Sequence, residues 1–126
     1  MPRPTAPDEP LFSGPLLVVE DSGIIAIEVK RIARSLGASH VHLATTVEAA
    51  IALVEAESLQ AAILDFGLHD DTSAAVADAL DARGVPYVFA SGYAGTDGID
   101  PRFRSHPMVA KPVSPAALRK VFAPLL

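Results

Sequence analysis

Two rhythms alternate along the chain. Short unbroken apolar runs are separated by longer stretches in which apolar residues return every three or four positions. The runs read as strands buried on both faces, and the longer stretches as helices with one inward stripe. Leu16-Leu17-Val18-Val19 is the first run and stops at Glu20-Asp21. Ser22 is placed to cap a helix whose stripe is Ile25, Val29, Ile32 and Leu36, with Lys30, Arg31 and Arg34 off it and Gly37 closing it. Val41-His42-Leu43-Ala44 is a short strand suited to a sheet edge. Thr45-Thr46-Val47-Glu48 reads as a capping box for a second helix, with Val47, Ile51 and Val54 inward.

The run Ala61 to Gly67 carries one carboxylate, Asp65, at its end. Leu68 to Ser73 is a polar loop, and Val76 and Leu80 mark a third helix that Gly84 ends. Pro86 to Ala90 is a fourth strand, finishing on Ser91-Gly92-Tyr93. From Ala94 to His106, Gly95, Gly98 and Pro101 interrupt the pattern, so any helix there is short or irregular. Met108-Val109-Ala110 is a brief fifth strand leading into Lys111-Pro112. Ser114 and Pro115 open a last helix with Leu118, Val121, Phe122 and Leu125 inward. Strand and helix alternation with short connections predicts an α/β fold, a doubly wound parallel sheet with helices on both faces. Pro2, Pro4, Pro7 and Pro10 make residues 1–14 a flexible leader, which leaves 15–126 as one domain.

Composition narrows the function. At 126 residues, half of them hydrophobic, the chain supports one full core without disulfides or a structural metal. It has no cysteine, which excludes disulfides, zinc-thiolate sites and thiol nucleophiles and suits a reducing compartment, the cytoplasm by default. Its net charge of −5 gives no field to draw it to nucleic acid or anionic lipid. No apolar run reaches membrane-spanning length.

In a parallel sheet the carboxyl ends of the strands share one edge, where open α/β folds place their ligands. That edge gathers Glu20, Asp21, Asp65, Ser91 and Lys111. Three converging carboxylates repel one another, so a cation belongs among them. An oxygen-only set suits Mg²⁺, with Asp21 and Asp65 as direct ligands, Glu20 through water, and the backbone carbonyl of Gly67 completing the protein's share. Metal, ammonium and hydroxyl are the groups that stabilise the equatorial oxygens in phosphoryl transfer. Asp65 is then a nucleophile that accepts a phosphoryl group as an aspartyl phosphate.

These residues carry a family resemblance. Val-Val-Glu20-Asp21-Ser, the lone Asp65 after Ile-Leu, Ser91 after Phe-Ala, and Lys111-Pro112, in this order, resemble a response-regulator receiver domain of two-component signalling from about Leu16 to Leu126. The resemblance implies the flavodoxin-like (βα)5 fold with strand order 2-1-3-4-5. It makes Asp65 the phosphoacceptor, Glu20 and Asp21 the metal-binding acids, Ser91 the switch hydroxyl and Lys111 the phosphate-contacting lysine. It implies a cis bond between Lys111 and Pro112, with self-phosphorylation and self-dephosphorylation dependent on Mg²⁺. Receivers commonly carry an aromatic switch residue three positions before the lysine; here that position is Met108, and Tyr93 is the nearby aromatic. Pro86-Tyr87-Val88-Phe89-Ala90-Ser91-Gly92-Tyr93 resembles the signature of the alphaproteobacterial FAT GUY receivers, which are often free-standing and paired with HWE-type histidine kinases. The partner implied is a histidine kinase or phosphotransfer protein, for a monomer or weak dimer that contacts neither nucleic acid nor membrane.

Two rival readings stay open: a receiver-like interaction module that works without phosphorylation, and a small flavodoxin-like ligand-binding protein or hydrolase. Against the second stand the missing Gly-rich phosphate loop and the missing Gly-x-Ser-x-Gly turn. His40 and His42, two apart on a strand, share a face; without a third ligand nearby they read as edge-strand solubility. His69 and His106 flank the site edge and read as solvated loop residues.

Overall fold

The computed structural model describes residues 9–65, 73–91 and 106–126. Gly67, His69, Tyr93 and all of the irregular stretch except His106 lie outside the described residues, so the expectations placed on them are not addressed by the fold. The elements are β1 (Pro15–Val19), α1 (Gly23–Ser35), β2 (His40–Ala44), α2 (Val47–Ala56), β3 (Ala61–Asp65), α3 (Ser73–Ala82), β4 (Tyr87–Ser91), β5 (Met108–Ala110) and α4 (Pro115–Phe122), followed by a 3₁₀ turn, Ala123–Leu125. All strand pairings are parallel. The order is β2-β1-β3-β4-β5, the flavodoxin-like arrangement.

Each strand divides its side chains between two layers, because successive residues point to opposite faces. Leu16 and Val18 of β1 join Ile63, Val88 and Val109 under α1 and α4, where Val29, Ile32, Leu118 and Phe122 close the layer. Leu17 and Val19 join Ala62, Leu64 and Phe89 under α2 and α3, against Val54, Val76 and Leu80. With helices on both faces, continuous apolar runs are what the central strands require.

The caps follow the sequence with one shift. Ser22 Oγ accepts from the Ile25 backbone N–H, and Ser114 Oγ from that of Ala117, with Pro115 in the first turn. For α2 the cap is Thr46, not Thr45: its hydroxyl accepts from Ala49, so Glu48 sits in the first turn and does not close a capping box. Glu48 still meets the positive end of the helix dipole there. Gly37 and Gly84 take the positive φ values of 108° and 68° that end their helices.

Four other expectations are corrected. His106, read as a solvated loop residue, is half-buried, with Nε2 2.8 Å from Tyr87 O and its ring stacked on Tyr87 at a centroid distance of 4.3 Å. Leu11 to Gly14, assigned to a flexible leader by proline spacing, are tied to the domain. The N–H groups of Leu11 and Phe12 donate to Leu36 O, and those of Ser13 and Gly14 to Gln60 Oε1. Phe12 is 1% exposed and meets Phe122 edge-to-face, with ring centroids 5.2 Å apart. Prolines forbid helix there but not an extended strap that inserts a side chain. Ile25 is not part of the buried stripe; Ala26 is buried instead, and Ile24, Ile25 and Ile27 are exposed. Leu125 is also exposed, because the last helix gives way to a 3₁₀ turn after Phe122 and its phase is lost. Among the described residues no helix is long and apolar enough to cross a membrane.

Candidate functional site

The order 2-1-3 makes the chain leave β1 on one side of the sheet and return to β3 on the other, opening a crevice at the carboxyl ends of these two strands. Glu20 directly follows β1 and Asp65 is the last residue of β3. Their strands pair in register from Leu16 with Ala61 to Val19 with Leu64, so backbone hydrogen bonds set their separation. Ser91 ends β4, and Lys111 follows β5, where its N–H donates to Ser91 O. The Lys111–Pro112 bond is cis.

Three of the predicted side chains therefore meet directly. Lys111 Nζ lies 2.7 Å from Asp65 Oδ1 and 2.8 Å from Glu20 Oε2, a single ammonium bridging two carboxylates. Glu20, Asp65 and Ser91 are buried, while Asp21 is exposed at the rim. The Ser22 N–H donates to Glu20 Oε1 at 3.2 Å, so the residue that caps α1 through its hydroxyl also holds an acid through its backbone.

The electrostatics follow from crowding. Burial pushes the Glu20 carboxyl above its ordinary pKa, with Asp65 adding repulsion, against the lowering effects of Lys111 and the Ser22 N–H. Burial alone would lower Lys111, but its bonds to Asp65 and Glu20 hold the ammonium above its ordinary value. One oxygen from each of Glu20, Asp21 and Asp65 lies within 4.8 Å of the others. One ammonium leaves three carboxylates under-compensated, and the compact donor set is oxygen only, so the residues present fit a hard divalent cation such as Mg²⁺.

The sequence missed the surface beside this site. Ile24, Ile25 and Ile27 of α1 join Pro112 and Val113 along a groove of about 620 Å³ that Lys111 also lines. At about 100° per residue, Ile24 and Ile27 fall on the side of α1 opposite the stripe of Val29, Ile32 and Leu36, so their apolar side chains conflict with that stripe. That conflict was the available signal.

No model of a known protein family matches the chain, and neither does any curated protein. Solved structures do. SdrG from Pseudomonas melonis Fr1, in a BeF3-activated conformation, is 39% identical with a TM-score of 0.76, covering 89% of this chain and 95% of that one. SdrG from Sphingomonas melonis Fr1 is 37% identical with a TM-score of 0.75, covering 90% of this chain and 96% of that one. A CheY-like response regulator receiver domain protein from Methanospirillum hungatei JF-1 shares the fold at 24% identity, with a TM-score of 0.74 over 90% of this chain and 94% of that one. With the acids, the lysine and the strand order already in place, the chain belongs to the CheY-like response regulator receiver domains.

Proposed function

We propose that the chain is a single-domain response regulator whose Asp65 accepts a phosphoryl group from a phosphohistidine of a histidine kinase or phosphotransfer protein. The observation that carries this reading is the contact of Lys111 Nζ with Asp65 and Glu20 at the β1/β3 crevice. An Asp65 oxygen attacks phosphorus and the P–N bond breaks with its electron pair going to the imidazole nitrogen, which takes up a proton from solvent; the product is an acyl phosphate. Lys111 follows the charge from the carboxylate to the phosphoryl oxygens, and the Ser91 hydroxyl donates to one of them. Asp21 and Asp65 would hold Mg²⁺ directly, Glu20 through water, with Gly67 giving its carbonyl. When bound, the ion supplies charge neutralisation at the phosphoryl oxygens. The likeness to SdrG, solved in a BeF3-activated conformation, supports a phosphorylatable acid at this position.

The output is protein contact or removal of phosphate from a partner, in the cytoplasm, by a monomer or weak dimer. Ser91 and Tyr93 serve as the switch pair. The exposed isoleucines of α1 beside Lys111 support a protein donor, whose surface must reach Asp65 past them. The net charge of −5 argues against nucleic acid as the target.

The deciding experiment is intact-protein mass after incubation with acetyl phosphate and Mg²⁺, beside the same reaction with EDTA and beside Asp65→Asn. A gain of one phosphoryl group, lost in both controls, is the expected result. No gain with any small donor would transfer the weight to an interaction module that works without phosphorylation.

A further inference from the structure

Away from the acids, the structure brings His40 and His42 together. We propose that these two imidazoles form a binding site for a divalent transition-metal ion of tetragonal preference, Cu²⁺ or Ni²⁺, on the free edge of the sheet.

Strand β2 is the outer strand in the order β2-β1-β3-β4-β5, so among the described residues its far side has no strand partner. His40 and His42 share one face of it, His40 exposed and His42 half-buried. Their ring centroids are 4.4 Å apart, with the planes inclined by 69°. Among the described residues their one interaction is with each other, so the ring nitrogens face no protein hydrogen-bond partner. Neutral imidazole nitrogen is the donor that copper, nickel and zinc prefer.

The ring separation selects among these metals. With metal–nitrogen bonds of about 2.0–2.1 Å, two imidazoles at a right angle on one ion put their centroids about 4.5 Å apart, and at the tetrahedral angle about 5.2 Å. The observed 4.4 Å matches the right angle, as in the equatorial plane of a tetragonal Cu²⁺ or Ni²⁺ site. Tetrahedral structural zinc also demands four protein ligands, whereas a tetragonal ion keeps water at its remaining positions. No third protein ligand is therefore required.

The site is separate from the acids. His40 is in register with Pro15, at the start of β1, whereas Glu20 follows its end. His42 pairs with Leu17, so the two ligands lie three and five residues of strand from Glu20, about 10 and 16 Å at roughly 3.3 Å per residue.

The test uses the full-length protein with saturating Mg²⁺ to fill the acid cluster, titrated with Cu²⁺–iminodiacetate, a probe that leaves two cis equatorial positions open. Electron paramagnetic resonance should show one equivalent bound through two equatorial imidazole nitrogens. His40→Ala and His42→Ala should each weaken binding by at least about tenfold and reduce the signature to one nitrogen, because the second donor's effective concentration is lost. His40→Gln and His42→Gln repeat the result with a side chain of similar reach, while His69→Ala and His106→Ala leave it unchanged. Wild-type affinity in the single variants, a two-nitrogen signal that survives in them, or one-nitrogen binding in the wild type would overturn the proposal. The outcome does not depend on whether Asp65 accepts phosphate.

Discussion

Lys111 Nζ stands 2.7 Å from Asp65 Oδ1, although 46 residues separate the two in the chain. β4 lies between their strands in the sheet, so the contact depends on the reach of a long side chain from the end of β5. Replacing Lys111 by Met keeps the stem that lies along the groove and removes the charge. Phosphoryl uptake from acetyl phosphate should then slow by about a hundredfold, the typical loss when one donor to developing oxyanion charge is removed. Quenched time points read by intact mass would check this, and an unchanged rate would remove Lys111 from the chemistry.

Glu20, Asp21 and Asp65 supply more negative charge than one lysine offsets. A bound divalent ion should therefore stabilise the native state, by about 2.7 kcal/mol at a hundredfold excess over its dissociation constant. Thermal unfolding with and without Mg²⁺ measures the effect, and Asp21→Asn should lose most of it. A melting temperature indifferent to Mg²⁺ in the wild type would count against the metal assignment.

Ile24 is 84% exposed and Ile27 63% exposed, an unusual placement for two large aliphatic side chains. Ile24→Asp and Ile27→Asp should leave the fold and uptake from acetyl phosphate unchanged, because neither side chain is buried. Transfer from a phosphorylated kinase or phosphotransfer protein should fall by tenfold or more. Equal transfer by the variants would show that the donor docks elsewhere.

Phe12 fills the space beside Phe122 at the base of the domain, before β1 begins. Phe12→Ala should destabilise the fold by about 3 kcal/mol, within the range for emptying an aromatic core position. Urea denaturation would register this as a lower midpoint with an unchanged slope. A change near zero would mean that the strap detaches without consequence.

Gly37 and Gly84 both have positive φ, but their surroundings differ. A Cβ at Gly37 would lie 2.3 Å from Phe12 O and 2.8 Å from Pro10 Cβ, whereas at Gly84 it would meet nothing within 4 Å. Gly84→Ala should cost only the backbone term of about 1 kcal/mol. Gly37→Ala should cost clearly more, because the strap must also move. The same denaturation assay compares them, and equal losses would contradict this account.

Strand runs, helix stripes and most caps were legible in the sequence because each is a local pattern. Leu16 to Val19 and Ala61 to Leu64 are apolar throughout, and only a strand covered on both faces needs that. The acids and the lysine were legible because they stop such runs. The place of Phe12 was not, since its partner Phe122 is more than a hundred residues away and its own prolines suggested only the absence of helix. The exposure of Ile25 was likewise decided by which neighbouring side chains α1 could press against the sheet, a question of packing and not of period. By itself, then, the sequence determined the alternation of strands and helices and the residues that stand at each strand's end, because chain chemistry and local geometry suffice for both. Tertiary structure alone decided that one ammonium bridges Asp65 and Glu20, that Phe12 closes the base, and that isoleucines flank the site, because those contacts arise only when distant segments share a sheet.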